Sequence, residues 1–289
     1  MWKRKTLGEI IYEITIHAVL VFIVFICLLP LVTLLAKSFS REAYVLAGDV
    51  TLVPIDFNLD AYRVVFYSNQ FWTSFRTSVI VTFFGTIFNS LFTIFVAYAV
   101  SRRDMPASRF VSFLYIVTMF FGGGLIPTYL VVKSVGLLDT LFALFVPGLV
   151  SAFNMIILRN YFIAIPDSLE ESAYMDGASN VRILFRIMIP LAMPSIATIA
   201  LFCAVGYWNS YFDGLLYITT RARRPLQVYL RDIIMESDNE MSNLDLLADV
   251  AGESVRGATV IVATVPILLV YPFLQKYFVK GVMLGSIKE

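Results

Sequence analysis

Asp167-Ser-Leu-Glu-Glu-Ser-Ala-Tyr-Met-Asp-Gly-Ala-Ser-Asn-Val-Arg-Ile-Leu-Phe-Arg-Ile-Met-Ile-Pro190 is the one stretch of this apolar chain that reads as a pair of short helices followed at once by a long hydrophobic run. Pro166 marks the start. Ser168 with Glu171 three residues later has the form of a capping box, and Asp167 with Glu170 is the alternative register. Gly177 suits the left-handed position that closes the first helix. Ser179 or Asn180 caps the second, on which Val181, Leu184, Phe185 and Met188 recur at i, i+3, i+4 and i+7 and form an apolar face opposite Arg182 and Arg186. Pro190 and Pro194 then open the hydrophobic run. An amphipathic helix that lies on a membrane surface and joins a crossing helix directly is a lever, so force applied to it reaches the bilayer.

Working outward, the rest of the chain supplies the membrane helices. Of 289 residues, 59% are hydrophobic and 15% charged, with a mean hydropathy of +0.80, whereas a soluble domain carries about 25% charged residues. One water-soluble core cannot absorb so much apolar surface. Six membrane helices of about 20 residues each would take up roughly 120 positions. Six such stretches occur, at about 17–36, 77–100, 110–132, 140–158, 191–212 and 257–275. None has an Asp, Glu, Lys or Arg in its interior, as the cost of an ionised group in hydrocarbon requires. The sequence therefore predicts an all-α, polytopic integral membrane protein with six transmembrane helices: an N-terminal segment, 1–16, and a single six-helix domain, 17–289, that includes the loop 167–190. The first run follows Lys3-Arg4-Lys5 as a secretory signal would, but its length and the lack of a small-x-small cleavage site before Lys37 mark it as the first span.

Basic residues orient the spans. With the N-terminus inside, the segments 1–9, 101–109, 159–189 and 275–289 collect Lys3, Arg4, Lys5, Arg102, Arg103, Arg109, Arg159, Arg182, Arg186, Lys276, Lys280 and Lys288, 12 of the 22 basic residues. Both termini and the loop 167–190 are then expected in the cytoplasm, with the longer loops 37–76 and 213–256 outside. Those outer loops mix Arg221, Arg223 and Arg224 with Asp238, Glu240, Asp245 and Asp249, and carry Pro54 and Pro225. Recurrent apolar residues, Leu52, Ile55, Leu226, Val228, Leu230, Ile233 and Ile234, mark them as ordered segments.

Several chemistries are excluded. A single histidine, His17, expected in an interfacial structural role, and two cysteines inside apolar runs, Cys27 and Cys203, make neither a metal cluster nor a disulfide framework. No HExxH, GxSxG, CxxC or Walker A sequence is present. The net charge of +1 offers no footprint for nucleic acid. A self-sufficient secondary carrier or channel is the competing class, but an ion-coupled carrier would place an Asp, Glu or His at mid-membrane, and none stands there. Energy for uphill movement must come from another subunit.

The loop also carries a resemblance. Glu171-Ser-Ala-x-x-Asp176-Gly177-Ala178, followed by Ile187-x-Ile189-Pro190, resembles the EAA loop of ATP-binding-cassette (ABC) importer permeases, down to the nine residues between the glycine and the isoleucine. Ser172 replaces the second alanine of that pattern and Ile189 its leucine, both mild changes. The tail Gln275-Lys-Tyr-Phe-Val-Lys-Gly-Val-Met-Leu-Gly285 is similar to the ending of the carbohydrate-uptake class, the second maltose-type permease. Gly122-Gly123-Gly124-Leu-Ile-Pro127-Thr-Tyr-Leu resembles the branch that handles oligosaccharides and polysaccharides; read by themselves, these glycines make a flexible join or a tight helix contact. The resemblance implies that Glu171, Ala173, Asp176, Gly177, Ala178, Arg182, Ile187 and Pro190 form a coupling surface seated in a groove of a cytoplasmic ATPase. It implies a second, non-identical permease, two ATP-binding subunits that hold ATP and magnesium, an extracytoplasmic solute-binding protein, and an oligosaccharide moved across the bacterial cytoplasmic membrane. The chain itself would be non-catalytic and bind no cofactor. Another solute handled by the same kind of permease is the alternative.

The solute path is sought in Trp208-Asn209-Ser210-Tyr211-Phe212-Asp213 at the end of the fifth span, and at Asn89 in the second. Sugars offer hydroxyls to Asn, Ser and Asp and flat C–H faces to aromatic rings. The competing reading is an interfacial aromatic belt, and for Asn89 an interhelical hydrogen bond. On a continuous helix, 100° per residue puts 208, 211 and 212 on one side and 209 and 213 on another, so they would not all line one path.

Overall fold

The structure, a computed structural model, describes residues 6–102, 104–239 and 252–286, with side chains to Met235 and Leu269 in the last two stretches. The regular elements among them are helices, in chain order α1 (Leu7–Ser38), α2 (Glu42–Ala47), α3 (Asp60–Tyr67), α4 (Asn69–Ser101), α5 (Ser108–Phe120), α6 (Leu125–Ser134), α7 (Ala152–Ala164), α8 (Asp167–Met175), α9 (Asn180–Ile183), α10 (Ile189–Trp208), α11 (Phe212–Tyr217), α12 (Leu226–Asn239) and α13 (Glu253–Ser286). They form two compact units, Met1–Ser68 with Leu230–Thr264, and Asn69–Tyr229 with Val265–Glu289.

In the first unit, α1 begins ten residues before the apolar run because Thr6 and Glu9 cap it reciprocally: Glu9 N–H donates to Thr6 Oγ1 (3.4 Å) and Thr6 N–H to Glu9 Oε2 (2.8 Å). Nearly every large apolar side chain from Leu7 to Leu35 is exposed. A helix that is hydrophobic all round needs lipid or another helix about it. His17 Nδ1 sits 2.7 Å from the Glu13 carbonyl, a local helix contact. The segment after α1 is ordered, as the sequence predicts: Ile55 packs on Ala36, Val45 and Val50, and Phe39 stacks on Phe57 and Tyr62. Glu42 accepts from the N–H groups of Glu253 (2.8 Å) and Ser254 (2.9 Å), placing an anion at the N-terminus of α13. Lys37 pairs with Glu253 at 3.1 Å. Of the residues used to orient the chain or to characterise the outer loops, Lys3, Arg4, Lys5, Arg103, Glu240, Asp245, Asp249 and Lys288 lie outside the described residues.

The second unit is organised around α4, with α7 and α10 packed along it. Its core joins Ile94, Ala97 and Val100 of α4 to Met155, Leu158 and Phe162 of α7 and to Ile183, Met188, Ala192 and Ile199 around the start of α10. Three described helices are long and apolar enough to cross a bilayer: α1, α4 and the continuous rod Asn180–Trp208, of 32, 33 and 29 residues.

Two expected spans are interrupted. The stretch 110–132 is split into α5 and α6 at Phe121–Gly124, where Gly124 adopts φ +83°. The stretch 140–158 opens with a single 3₁₀ turn, Leu141–Leu144, and becomes α-helical only from Ala152 to Ala164. Pro147, with no N–H, and Gly148 break it. An apolar window cannot register such breaks, because hydropathy counts side chains and not backbone geometry.

Candidate functional site

The loop 167–190 is ordered throughout, and its first helix is closed by backbone geometry. Gly177 takes φ +75°, its N–H donates to Tyr174 O (3.0 Å), and Ala178 N–H reaches back to Ala173 O (2.9 Å). That pair of bonds is a Schellman closure. Ala173 and Ala178, joined by the second of these bonds, both pack on the core of the second unit. The glycine and the two alanines thus serve one device: small residues bring the turn down onto the core, and Gly177 reverses the chain.

The capping box expected at Ser168 and Glu171 is not made, nor its Asp167/Glu170 alternative. Pro166 occupies the N-cap of α8, and no side chain there accepts a capping bond. The two glutamates part instead. Glu170 is buried and pairs with Arg102 at the end of α4, and Arg102 also donates to Ser101 Oγ (3.1 Å) and lies 4.7 Å from the centre of the Tyr98 ring. Glu171 is exposed, with no ion pair among the described residues. Sequence reading used Arg102 only as a topological charge and missed this bond; the signal was an acidic residue one position from the motif glutamate.

The second short helix is not separate. Ser179 caps it, accepting from Arg182 N–H at 3.4 Å, and α9 runs through a π-helical turn, Leu184–Met188, straight into α10. The wider turn ends where Pro190 cannot donate to the preceding carbonyls. It also rotates the buried stripe. Ile183, Leu184 and Met188 face the core with Ile187 beside them, whereas Val181 and Phe185, expected on the apolar face, are exposed. Asp176, Gly177, Arg182 and Pro190 are exposed with them, as are Tyr174 and Met175. The loop is fastened on its inner side and open on its outer side, and it continues rigidly into a helix of membrane-crossing length.

At the far end of that helix lies a cavity of ≈ 560 Å³ with several polar groups on its wall. The chain leaves the helix after Trp208, makes a short break over 209–211 and resumes as α11. The break overturns the continuous-helix geometry, because Asn209, Ser210, Tyr211 and Asp213 all line the one cavity, with Asn89 and Tyr207. Trp208 is on the other side, buried edge-on to Phe75 with ring centres 5.9 Å apart, against an apolar cleft of ≈ 480 Å³. Gly214, inside α11, lets the segment at Pro225 and Val228 pack close: a Cβ there would meet Val228 at 2.8 Å and Pro225 at 2.9 Å.

Asn89 forms the cavity's most connected wall. Its amide donates to Gly148 O (3.0 Å) and Tyr207 Oη (3.2 Å), while its carbonyl accepts from Thr93 Oγ1 (3.3 Å) and the Cys203 thiol (3.1 Å). All its hydrogen-bonding capacity is used. Ser210 is the opposite case: it is 8% exposed, and its hydroxyl has no partner among the described residues. Asp213 is exposed along the cavity, and no ion pair answers it among the described residues. Beside the cavity, Asp139 clips two loops together, accepting from Thr220 Oγ1 (2.6 Å), Thr220 N–H (2.9 Å) and Thr219 N–H (3.1 Å) and pairing with Arg223 (3.2 Å). The Thr220 hydroxyl bond first, then the backbone bonds and Arg223, hold that carboxyl below the usual range.

Residues 80–284 match the family described as "Binding-protein-dependent transport system inner membrane component". The chain is 43% identical over 281 residues to the polygalacturonan/rhamnogalacturonan transport system permease protein YtcP of Bacillus subtilis, covering 96% of this chain and 98% of that one. It is 27% identical, over 99% of both chains, to the arabinooligosaccharides transport system permease protein AraQ of Halalkalibacterium halodurans. Among solved structures it is similar to a chain of a bacterial ABC transporter involved in the import of the acidic polysaccharide alginate, with a TM-score of 0.89, 36% identity, and 96% of this chain and 100% of that chain covered.

Proposed function

The chain belongs to the family of inner membrane components of binding-protein-dependent transport systems, and from that premise we propose that it is the sugar-conducting permease of an ATP-driven importer, moving oligosaccharides through the cavity beneath α11. The relatives named for polygalacturonan, rhamnogalacturonan and arabinooligosaccharides support the substrate class. A second, non-identical permease completes the path, and an extracytoplasmic binding protein delivers the sugar to the outer loops. Two cytoplasmic ATPase subunits hold ATP and magnesium; this chain hydrolyses nothing and binds neither. Both termini and the loop 167–190 face the cytoplasm.

One observation carries the reading. The loop has an outer side of exposed groups, Glu171, Met175, Arg182 and Val181, backed by an inner side locked to the core, and it is continuous with the helix that ends at the cavity. A surface of that kind transmits a push. Glu171 offers a carboxylate for a charge-assisted bond with a basic residue of the ATPase groove, and Met175 and Val181 offer apolar anchors. The test is purification of the tagged chain from its native membrane. A second permease and an ATPase should accompany it, and sugar-loaded binding protein should stimulate ATP hydrolysis by the complex. Solute uptake by the chain alone in proteoliposomes without ATP would overturn the proposal.

A further inference from the structure

The cavity brings together three kinds of group suited to a glycan. Ser210 presents a buried hydroxyl without a partner among the described residues. Asp213 presents a carboxylate with no cation beside it: no Lys or Arg lines the cavity among the described residues. Arg223, on the adjoining segment, is held by Asp139. The third kind is aromatic: the rings of Tyr211 and Tyr217 line the same space, and Tyr217 is steadied by stacking on Tyr129 at 6.3 Å.

A buried hydroxyl left unsatisfied is costly unless a ligand answers it, so Ser210 points to an occupant with donors and acceptors of its own. A lone carboxylate accepts hydrogen bonds from sugar hydroxyls but repels another carboxylate, and Asp213, exposed along the cavity wall, is placed to do both. Resting on the reading of the chain as an oligosaccharide permease, we propose that this cavity takes an uncharged, hydroxyl-rich stretch of glycan and discriminates against a uronate at the same place, with Asp213 as the residue that sets the preference. This chain then differs in its own half of the path from what the names of its relatives for acidic polysaccharides would lead one to expect.

The test uses the complete importer in lipid nanodiscs, without binding protein, so that only the transmembrane path selects. Thr128, also on the cavity wall, is changed to Cys in a background with Cys27 and Cys203 replaced, and the rate of thiol labelling is followed. The probes are pairs of oligosaccharides that differ only at C6, as CH₂OH or carboxylate: galactan and galacturonan, mannan and mannuronan, glucan and glucuronan. The neutral member of at least one pair should protect the thiol at a concentration about tenfold lower than its uronate partner, a difference of about 1.4 kcal/mol. Asp213→Asn should shrink that gap to about twofold or less, and Ser210→Ala should weaken protection by the neutral glycan. Equal protection by both members, stronger protection by the uronate, or an unchanged gap in Asp213→Asn would overturn the inference while leaving the permease reading in place. Protection by no glycan of the panel would overturn the oligosaccharide reading and the inference with it.

Discussion

Glu170 and Glu171 are sequence neighbours with opposite surroundings, and on the proposed function the contrast separates a folding role from a coupling role. Glu170 and its partner Arg102 have side chains only 9% and 17% exposed. Glu170→Ala strands the guanidinium and should destabilise the protein by about 3 kcal/mol, visible as a lower thermal midpoint in detergent and reduced membrane accumulation. Glu171→Ala should leave that midpoint where it is and abolish sugar-stimulated ATP hydrolysis. If the two variants behave alike in both assays, the division of roles is wrong. Asp139 makes a prediction of a different sign. Its carboxyl is held below the ordinary range by Thr220, the backbone and Arg223, so its stabilising effect is complete above the unfolded value and fades only as pH falls through the lower folded one. The loss of thermal stability caused by Asp139→Asn should therefore be the same at pH 5 and pH 7; a difference that vanishes at pH 5 would count against the clip.

At the scale of elements, the turn at Gly177 and the contact at Gly85 are where a side chain would do most harm. Leu at Gly177 must hold φ +75°, which disfavours an L residue by about 1–2 kcal/mol, and it projects from the loop's exposed outer side. Gly177→Leu should keep the protein in the membrane yet lower transport; normal uptake would discount the turn as part of the coupling surface. Gly85 lies where α4 meets α10: a Cβ there would stand 3.0 Å from the Tyr207 ring and 3.2 Å from Phe145. Gly85→Val should cost about 1–3 kcal/mol through overpacking, and by displacing Tyr207 it should also disturb the Asn89 network, read as a lower thermal midpoint. These elements differ in how far the sequence disclosed them. The Schellman turn was legible because Gly177 has a local backbone meaning. The π-turn was not, because an α-helical spacing has no place for the extra residue it inserts, and so of the apolar face assigned to Val181, Leu184, Phe185 and Met188 only Leu184 and Met188 are buried, with Ile183 and Ile187 beside them. The cavity was half legible: residue types named Asn89, Asn209, Tyr211 and Asp213, but only the break after Trp208 puts 209, 211 and 213 on one wall.

Across the whole molecule, composition and the six membrane-length apolar stretches were enough for an all-α membrane protein, since one water-soluble core cannot absorb so much apolar surface, while the interruptions in the third and fourth apolar stretches depend on glycine and proline backbone chemistry that hydropathy averages away. Direction in the membrane follows from a different property, the asymmetry of short basic segments, and it decides whether the loop can meet an ATPase at all. Two positions report on it. Met175 is 88% exposed on the loop's outer side, and Asn239 ends α12. In a background with Cys27 and Cys203 replaced, Met175→Cys should resist a membrane-impermeant thiol reagent in intact cells and react in inverted vesicles lacking the ATPase, whereas Asn239→Cys should react in intact cells. Adding the ATPase to the vesicles should then shield Met175→Cys, because a groove that receives Glu171 must also cover the residue one helical turn beyond it. Labelling of Met175→Cys in intact cells would invert the topology and remove the loop from the ATPase's side of the membrane. Labelling in vesicles that the ATPase leaves unchanged would keep the topology and place the coupling contact elsewhere, since no other arrangement leaves so exposed a residue uncovered beside a docked helix.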